Sequence, residues 1–380
     1  MKKIFALVLS LVLVLSCGCG GSGNTPGNTP DVIDYGNVEN VKNIILLIGD
    51  GMGPEEIKAG NLVQEGGLYL SKLPNRVLVE TKSLDNDITD SAAAGTAMAT
   101  GERTGNGWIG MTIEGEWIEP TIVDIAKNLG KSTGIITTEN LSGATPMTFS
   151  SHGGRGDTNI LLSRAAQTGN VNIFVGDTKD GINYSAFTGA GGYQAVADYN
   201  DISESTYEKI LGAYDIVPVE NGEVSDMFAK IVVETLDYLA KNENGFFLMA
   251  EGAHIDHGGH SNDIYYMLRE LLAFDLGVKA AVEWAKQRND TLVLVTADHE
   301  TGGLTVSPNA NKDNLFDDDE YGDHANYSWA TKGHTGVDVY LYTYGMKIDY
   351  TGYSSFSSAG RIKNTDIFTL MNSCFTQAAA

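Results

Sequence analysis

Cysteine is nearly missing from this chain: three in 380 residues, at Cys17, Cys19 and Cys374. None falls between the N-terminal segment and the C-terminal tail, so a disulfide framework does not hold the folded part together. Positive charge is scarce as well, with 25 Lys and Arg against 49 Asp and Glu and a net charge of −24. A surface of that sign repels a phosphate backbone, which argues against a nucleic-acid partner. It also poses a problem for any anionic ligand. The positive charge that such a site requires is sparse among the side chains, and bound divalent cations would supply it. Nor is there an apolar run that spans a bilayer comfortably. The stretch over 4–15, after Met1-Lys2-Lys3, reads as the h-region of a signal peptide behind a basic n-region.

That leader ends in Val14-Leu15-Ser16-Cys17, which resembles the lipobox of bacterial lipoproteins and predicts a lipid anchor on Cys17, facing the periplasm or the cell exterior. Ordinary secretion, with cleavage near 18–20 and a soluble product, is the alternative. Residues 18–40, with a repeated Gly-Asn-Thr-Pro, form a polar tether that cannot build a core. The remainder, 41–375, is long for one domain but reasonable for a large α/β domain with insertions.

The folded part is organised around Leu46-Leu47-Ile48-Gly49-Asp50-Gly51-Met52-Gly53. Residues 43–48 are too short for a buried helix and uniformly apolar, so they read as a strand buried on both faces, with Asp50 just past its end. In an open parallel sheet, ligands bind beyond the carboxyl ends of the strands. A bare tight turn would also look like this. The pattern recurs. The strand over 246–249 runs into Ala250-Glu251-Gly252, then Asp256-His257-Gly258-Gly259-His260. The strand over 291–295 runs into Thr296-Ala297-Asp298-His299. Ser91 stands before the alanine-rich helix over 92–100, either as part of its cap with Asp90 or where a helix N-terminus favours an anion. Alternating strands and helices between these points predict a doubly wound, mostly parallel sheet with helices on both faces. Residues 181–215 read as an irregular insertion, 315–321 as a solvated acidic loop, and Asp157 as the cap of a helix to 168. Asp, Glu and His at strand ends are ligand types for Zn²⁺ and Mg²⁺, and the Asp256/His260 spacing lets both converge on one ion from a helix or a loop.

Taken in order, the Asn43-to-Gly53 start, Asp90-Ser91-Ala92, Ala144-Thr145-Pro146, Glu251-Gly252-Ala253, Asp256 with His260, Thr296-Ala297-Asp298-His299 and His334-Thr335-Gly336 resemble the alkaline phosphatases. The resemblance implies that family's fold and hydrolysis of small phosphate monoesters. One zinc would be held by Asp256, His260 and His334. A second would be held by Asp50, Asp298 and His299 beside Ser91, and a magnesium ion by Asp50, Thr145 and Glu251. Ser91 would be the nucleophile, forming a phosphoserine later hydrolysed by water, and Arg155 would clamp the phosphate. A homodimer is compatible with these residues.

Three departures stand out. The loop between His152 and Arg155 is one residue shorter than in the best-known members. His257 replaces a frequent Lys; it either reaches phosphate through water or lies exposed. Gly143 replaces an Asp that orients water around the third ion. Loss of that outer carboxylate predicts a weaker third site, which Gly143→Asp would tighten. Competing readings are phosphodiester or sulfate-ester hydrolysis within the same superfamily, and a non-catalytic metal- or phosphate-binding surface lipoprotein.

Overall fold

The apolar run after Asn43 is buried throughout because it lies inside a ten-stranded sheet. The protein is seen here as a computed structural model that describes residues 33–34, 36–178, 184–315 and 326–377. The leader with Cys17, most of the tether and most of the acidic loop lie outside the described residues. The sheet strands, in chain order, are β1 (Asn43–Gly49), β2 (Asn75–Glu80), β3 (Ser132–Thr137), β4 (Ile173–Asp177), β5 (Gln194–Val196), β6 (Ile210–Tyr214), β7 (Phe246–Gly252), β8 (Thr291–Thr296), β9 (Val339–Tyr344) and β10 (Arg361–Lys363). Their spatial order is β10-β2-β9-β8-β1-β7-β3-β4-β6-β5. All run parallel except β9, which pairs antiparallel with β8 and β2.

Central β1 pairs with β7 and β8 so that Ile48 stands beside Glu251 on one side and Thr296 on the other. That register brings Asp50, Glu251 and Asp298 to one sheet edge, where the strand order places a ligand crevice. Helices α1 (Pro54–Val63), α2 (Ser91–Thr100), α3 (Ile122–Asn128), α4 (Ala144–Thr148), α5 (Thr158–Thr168), α6 (Met227–Leu239), α7 (His254–Ser261), α8 (Ile264–Lys286) and α9 (Thr365–Gln377) cover it. They pack as two sets: α1, α6 and α7 against the long α8, and α3, α4 and α9 around α2. Between the sets, the interior of β1, β7 and β8 is wholly buried. This is the expected mostly parallel α/β architecture with helices on both faces.

The region 181–215 is less irregular than its sequence suggests. Its described residues include β5 and β6, which extend the sheet past β4. Ile210, Leu211 and Tyr214 are buried there. The run is only five residues long and interrupted by Gly212, so its strand character comes from pairing with β4 rather than from its own periodicity. Asp157 precedes α5, but its side chain makes no capping hydrogen bond. Two short antiparallel ladders outside the main sheet position chemistry. Glu300–Thr301 pairs with His334–Thr335, and Trp108–Ile109 pairs with Gly153–Gly154.

Candidate active site

Asp50 leaves β1 through a turn that only glycine fits. Gly51 has φ +74°, and a Cβ on it would lie 2.6 Å from Asp256 Cα. The turn therefore seats the Asp50 loop directly against α7. The Gly51 N–H donates to Asp298 Oδ1 at 3.2 Å, as does the His299 N–H at 2.9 Å. Asp298 Oδ2 and Asp50 Oδ1 make no hydrogen bond, although both are buried. His299 Nε2 lies 3.2 Å from Asp298 Oδ2, 3.6 Å from Asp50 Oδ1 and 3.2 Å from Ser91 Oγ.

Burial, reinforced by Asp298, Asp256 and Glu251, holds the Asp50 carboxyl well above the usual carboxylate range. Burial and then Asp256 push Asp298 up to about 6, and burial pushes His299 down to about 4. His299 is thus neutral. The Thr301 hydroxyl selects its tautomer: Thr301 donates to Asp256 Oδ1 at 2.5 Å and lies 3.2 Å from His299 Nδ1. Having spent its proton on Asp256, Thr301 Oγ1 accepts from His299 Nδ1–H, which leaves the Nε2 lone pair facing Ser91.

Nearer the surface, Asp256 and His260 sit four residues apart on α7, so both point the same way. His334 reaches them from the short ladder opposite Thr301. His260 Nε2 lies 3.3 Å from Asp256 Oδ2, and His334 Nε2 lies 3.2 Å from His260 Nε2 and 3.7 Å from Asp256 Oδ1. Each ring turns Nδ1 to a main-chain carbonyl, His260 to Lys332 O at 2.5 Å and His334 to Thr89 O at 2.9 Å. Such outer contacts orient imidazole ligands. The bond to Asp256 pushes His260 up to about 9, so a proton sits where a cation would otherwise be held. Burial opposes ionisation of Asp256, but His260, His299 and Thr301 together hold its carboxyl below the usual range.

Glu251 ends β7 fully buried. Thr137, at the end of neighbouring β3, donates to its Oε2 at 2.5 Å. Glu251 Oε1 and the buried Thr145 Oγ1 make no hydrogen bond, although Thr145 lies near enough to favour the ionised carboxylate. Burial and then Glu139 nonetheless hold Glu251 well above its ordinary value.

Ser91 opens α2. Asp90 caps this helix by accepting from Ala93 N at 3.0 Å through Oδ1. Its Oδ2 receives Arg155 Nη1 at 3.1 Å and Gly107 N at 3.0 Å. The ladder of Trp108–Ile109 with Gly153–Gly154 delivers Arg155 to this point. The same carboxylate therefore starts the helix and holds the half-exposed guanidinium beside the nucleophile candidate.

Two sets of donor atoms each lie within 4.8 Å of one another: Asp256, His260 and His334, and Asp50, Asp256 and His299. The buried, unpartnered oxygens of Asp50 in the second set, and of neighbouring Asp298 and Glu251, would be costly without a positively charged partner, and the donor types suit Zn²⁺ and Mg²⁺. The alkaline phosphatase family model matches residues 41–167 and 153–311, more than half of the chain.

The chain belongs to the alkaline phosphatase family. Alkaline phosphatase 4 of Bacillus subtilis (strain 168) is 30% identical across 72% of this chain and 64% of its own length. The chain thus spans just under two thirds of that relative. The alkaline phosphatase of Escherichia coli (strain K12) is 31% identical across 70% of this chain and 72% of its own. A solved variant of the alkaline phosphatase from the Antarctic bacterium TAB5, with Mg bound in its M3 site, shares the fold at a TM-score of 0.76 and 27% identity, covering 89% of this chain and 99% of that one. Membership in this family is consistent with phosphomonoester hydrolysis.

Against the sequence-based expectations, the outer set is the expected Asp256, His260 and His334. Of the expected inner set, His299 Nε2 faces both Asp298 Oδ2 at 3.2 Å and Asp50 Oδ1 at 3.6 Å, and Asp256 also comes within reach of Asp50 and His299. Two backbone N–H groups hold Asp298 Oδ1, leaving only Oδ2 on the His299 side. His257 is exposed on α7 and packs against His254. At Gly143, where a weaker third site is expected, the carboxylate of Glu139 occupies the place a Cβ would take. Sequence reasoning missed Thr301, Thr137 and Glu139, and it saw Asp90 only as a cap.

Proposed function

We propose that this protein hydrolyses phosphate monoesters through a phosphoserine on Ser91. The observation that carries this reading is the approach of Ser91 Oγ to 3.2 Å from His299 Nε2, at a helix start and beside two sets of cation donors. Asp256, His260 and His334 would hold one zinc ion. Asp50, Asp298 and His299 would hold a second, with Asp256 at their shared border, and Asp50, Thr145 and Glu251 would hold magnesium. When bound, such ions lower the pKa of a hydroxyl or water nucleophile and stabilise the departing oxygen.

The chain's own groups do the rest. Ser91 presents its oxygen at the N-terminus of α2, where the helix dipole favours the phosphoryl anion. Arg155, steered by Asp90, offers two parallel N–H donors to nonbridging oxygens. Ser91 Oγ gives up its proton and bonds to phosphorus in line as the ester oxygen leaves and takes up a proton; water then attacks phosphorus, breaking the Ser91 Oγ–P bond, releasing phosphate and returning a proton to the serine. Buried carboxylates that would otherwise repel a dianionic substrate are the reason cations are required.

The test is release of p-nitrophenol from p-nitrophenyl phosphate before chelation, after it, and after zinc is restored, with elemental analysis alongside. Chelator-insensitive turnover, or labelled phosphate trapped on a residue other than Ser91, would sink the reading. We also propose export with a lipid on Cys17, on the lipobox-like run alone; among the described residues, no helix is long and apolar enough to cross a membrane. Cys17→Ser should move the protein out of the detergent phase with kcat and KM unchanged.

A further inference from the structure

One carboxylate near Glu251 has no part in the scheme above. Glu139 lies two residues beyond β3, and its side chain folds along the loop toward α4. A Cβ at residue 143 would stand 1.8 Å from Glu139 Oε1 and 2.7 Å from its Cδ. Real atoms cannot approach so closely, so the carboxylate occupies the volume that any side chain at 143 would take. The backbone of Glu139 is pinned on both sides: its N–H donates to Thr137 Oγ1 at 3.2 Å, and its carbonyl accepts from Asp177 N at 2.7 Å. Thr137 Oγ1 is the same hydroxyl that donates to Glu251 Oε2. Two buried oxygens, Glu251 Oε1 and Thr145 Oγ1, the latter lying two residues after Gly143, have no hydrogen-bond partner. Of the charges that act on Glu251, Glu139 is the foremost, and its field reaches Asp50 too.

We infer that Glu139 supplies, through the space left by the missing side chain at residue 143, the outer carboxylate of the third cation site, positioning the water around a magnesium ion held by Asp50, Thr145 and Glu251. Glycine at 143 is then a requirement of this arrangement and not a loss. A carboxylate has moved four residues back along the chain, while the volume it fills has stayed the same. Gly143→Asp alone would not strengthen the site, because the new side chain must first expel Glu139.

The inference rests on the proposed phosphatase reading with its third ion, and the measurements separate the two. Magnesium is titrated into zinc-loaded protein by calorimetry and equilibrium dialysis, with half-activation of p-nitrophenyl phosphate hydrolysis recorded in parallel. Glu139→Gln, which keeps the shape, should raise the magnesium Kd by about 10–100-fold. Gly143→Ala should weaken magnesium as well, though it retains the carboxylate, because a methyl group displaces it. The double variant Glu139→Ala/Gly143→Asp should return the Kd to near the wild-type value, with zinc content constant throughout. A merely structural role for Glu139 would not be rescued by a carboxylate placed elsewhere in the chain. An unchanged Kd in Glu139→Gln, or no recovery in the double variant, overturns the assignment of Glu139 and leaves the phosphatase reading standing. Magnesium binding that depends on Glu139 in a protein without phosphatase activity overturns the proposed function and leaves Glu139 in place. A wild type that takes up zinc alone overturns the third site and the inference together.

Discussion

The two donor sets differ in how they stand without an ion. In the outer one, Asp256 faces two imidazoles, each ring fixed through Nδ1 to a carbonyl, and the His260 side chain is 40% exposed. Its charges balance and water reaches its edge. In the interior beyond it, Asp50, Asp298 and Glu251 are buried, each with an unpartnered oxygen, and His299, which lies against the first two, is neutral. Like charges in a dry interior raise one another's pKa. The rim is therefore self-consistent as an apoprotein, whereas the interior is consistent only with cations or protons in place. In this site, chemistry and stability draw on different regions.

The largest effect expected concerns chemistry alone. Ser91→Ala should lower kcat by roughly four orders of magnitude or more and abolish trapping of phosphoenzyme. Zinc measured by elemental analysis should stay near normal, since the remaining donors do not depend on Ser91 Oγ. Loss of zinc from the inner set would merge the two functions that the comparison separates.

Next is a pH effect confined to the interior. In metal-free protein burial and then Asp256 push Asp298 up to about 6 from its ordinary 3.8. A raised carboxyl contributes stability that is present below its unfolded pKa and lost as pH rises through the folded one. His299, lowered to about 4 from 6.5, works the opposite way over nearly the same interval. The wild-type curve alone therefore hides both. Asp298→Asn should isolate the first. Relative to wild type, the metal-free variant should gain on the order of 3 kcal/mol between pH 4 and 7. Urea melts across that range check it, and a flat difference would show that Asp298 is not strained.

Thr301→Val tests the bridge between the sets. Removing an outer contact of this kind typically costs about 10–100-fold in metal affinity, and here both proposed zinc sites should weaken together in competition with a chelator. Selective weakening of one would show that Thr301 serves only that side. The smallest effect belongs to the rim. His260→Gln in metal-free protein should destabilise by less than about 1 kcal/mol, the range of exposed ion pairs. His260 is raised to about 9 from 6.5. Its contribution is thus full below the unfolded value and lost as pH passes the folded one, so thermal melts of variant and wild type should differ at pH 6 and coincide near pH 10.

What the sequence made legible was whatever is carried by a local pattern. β1, β7 and β8 are uninterrupted apolar runs, and the acids at or just past their ends needed only the direction of the chain to be placed on one edge. Asp256 and His260 were legible through spacing that a helix turns into proximity. Thr301 was not, because its role depends on a two-residue ladder with His334 that no periodicity announces. β5 and β6 escaped because short strands acquire their character from neighbours. Glu139 escaped for another reason. Reading position 143 against a family pattern asks which residue stands at one place in the chain, whereas an ion responds to which atoms fill one place in space.

The ladder that joins Glu300–Thr301 to His334–Thr335 has a consequence in time as well as in space. His334 comes 74 residues after His260. A chain emerging N-terminus first carries every inner donor, together with Ser91 and Arg155, well before the outer set can close. Until the ladder zips, only two of the three outer donors, Asp256 and His260, are together, and the last to arrive acts as the latch on a pocket already built. On the proposed metal reading, a cation held at the rim would report that the segment carrying His334 has docked against Glu300–Thr301.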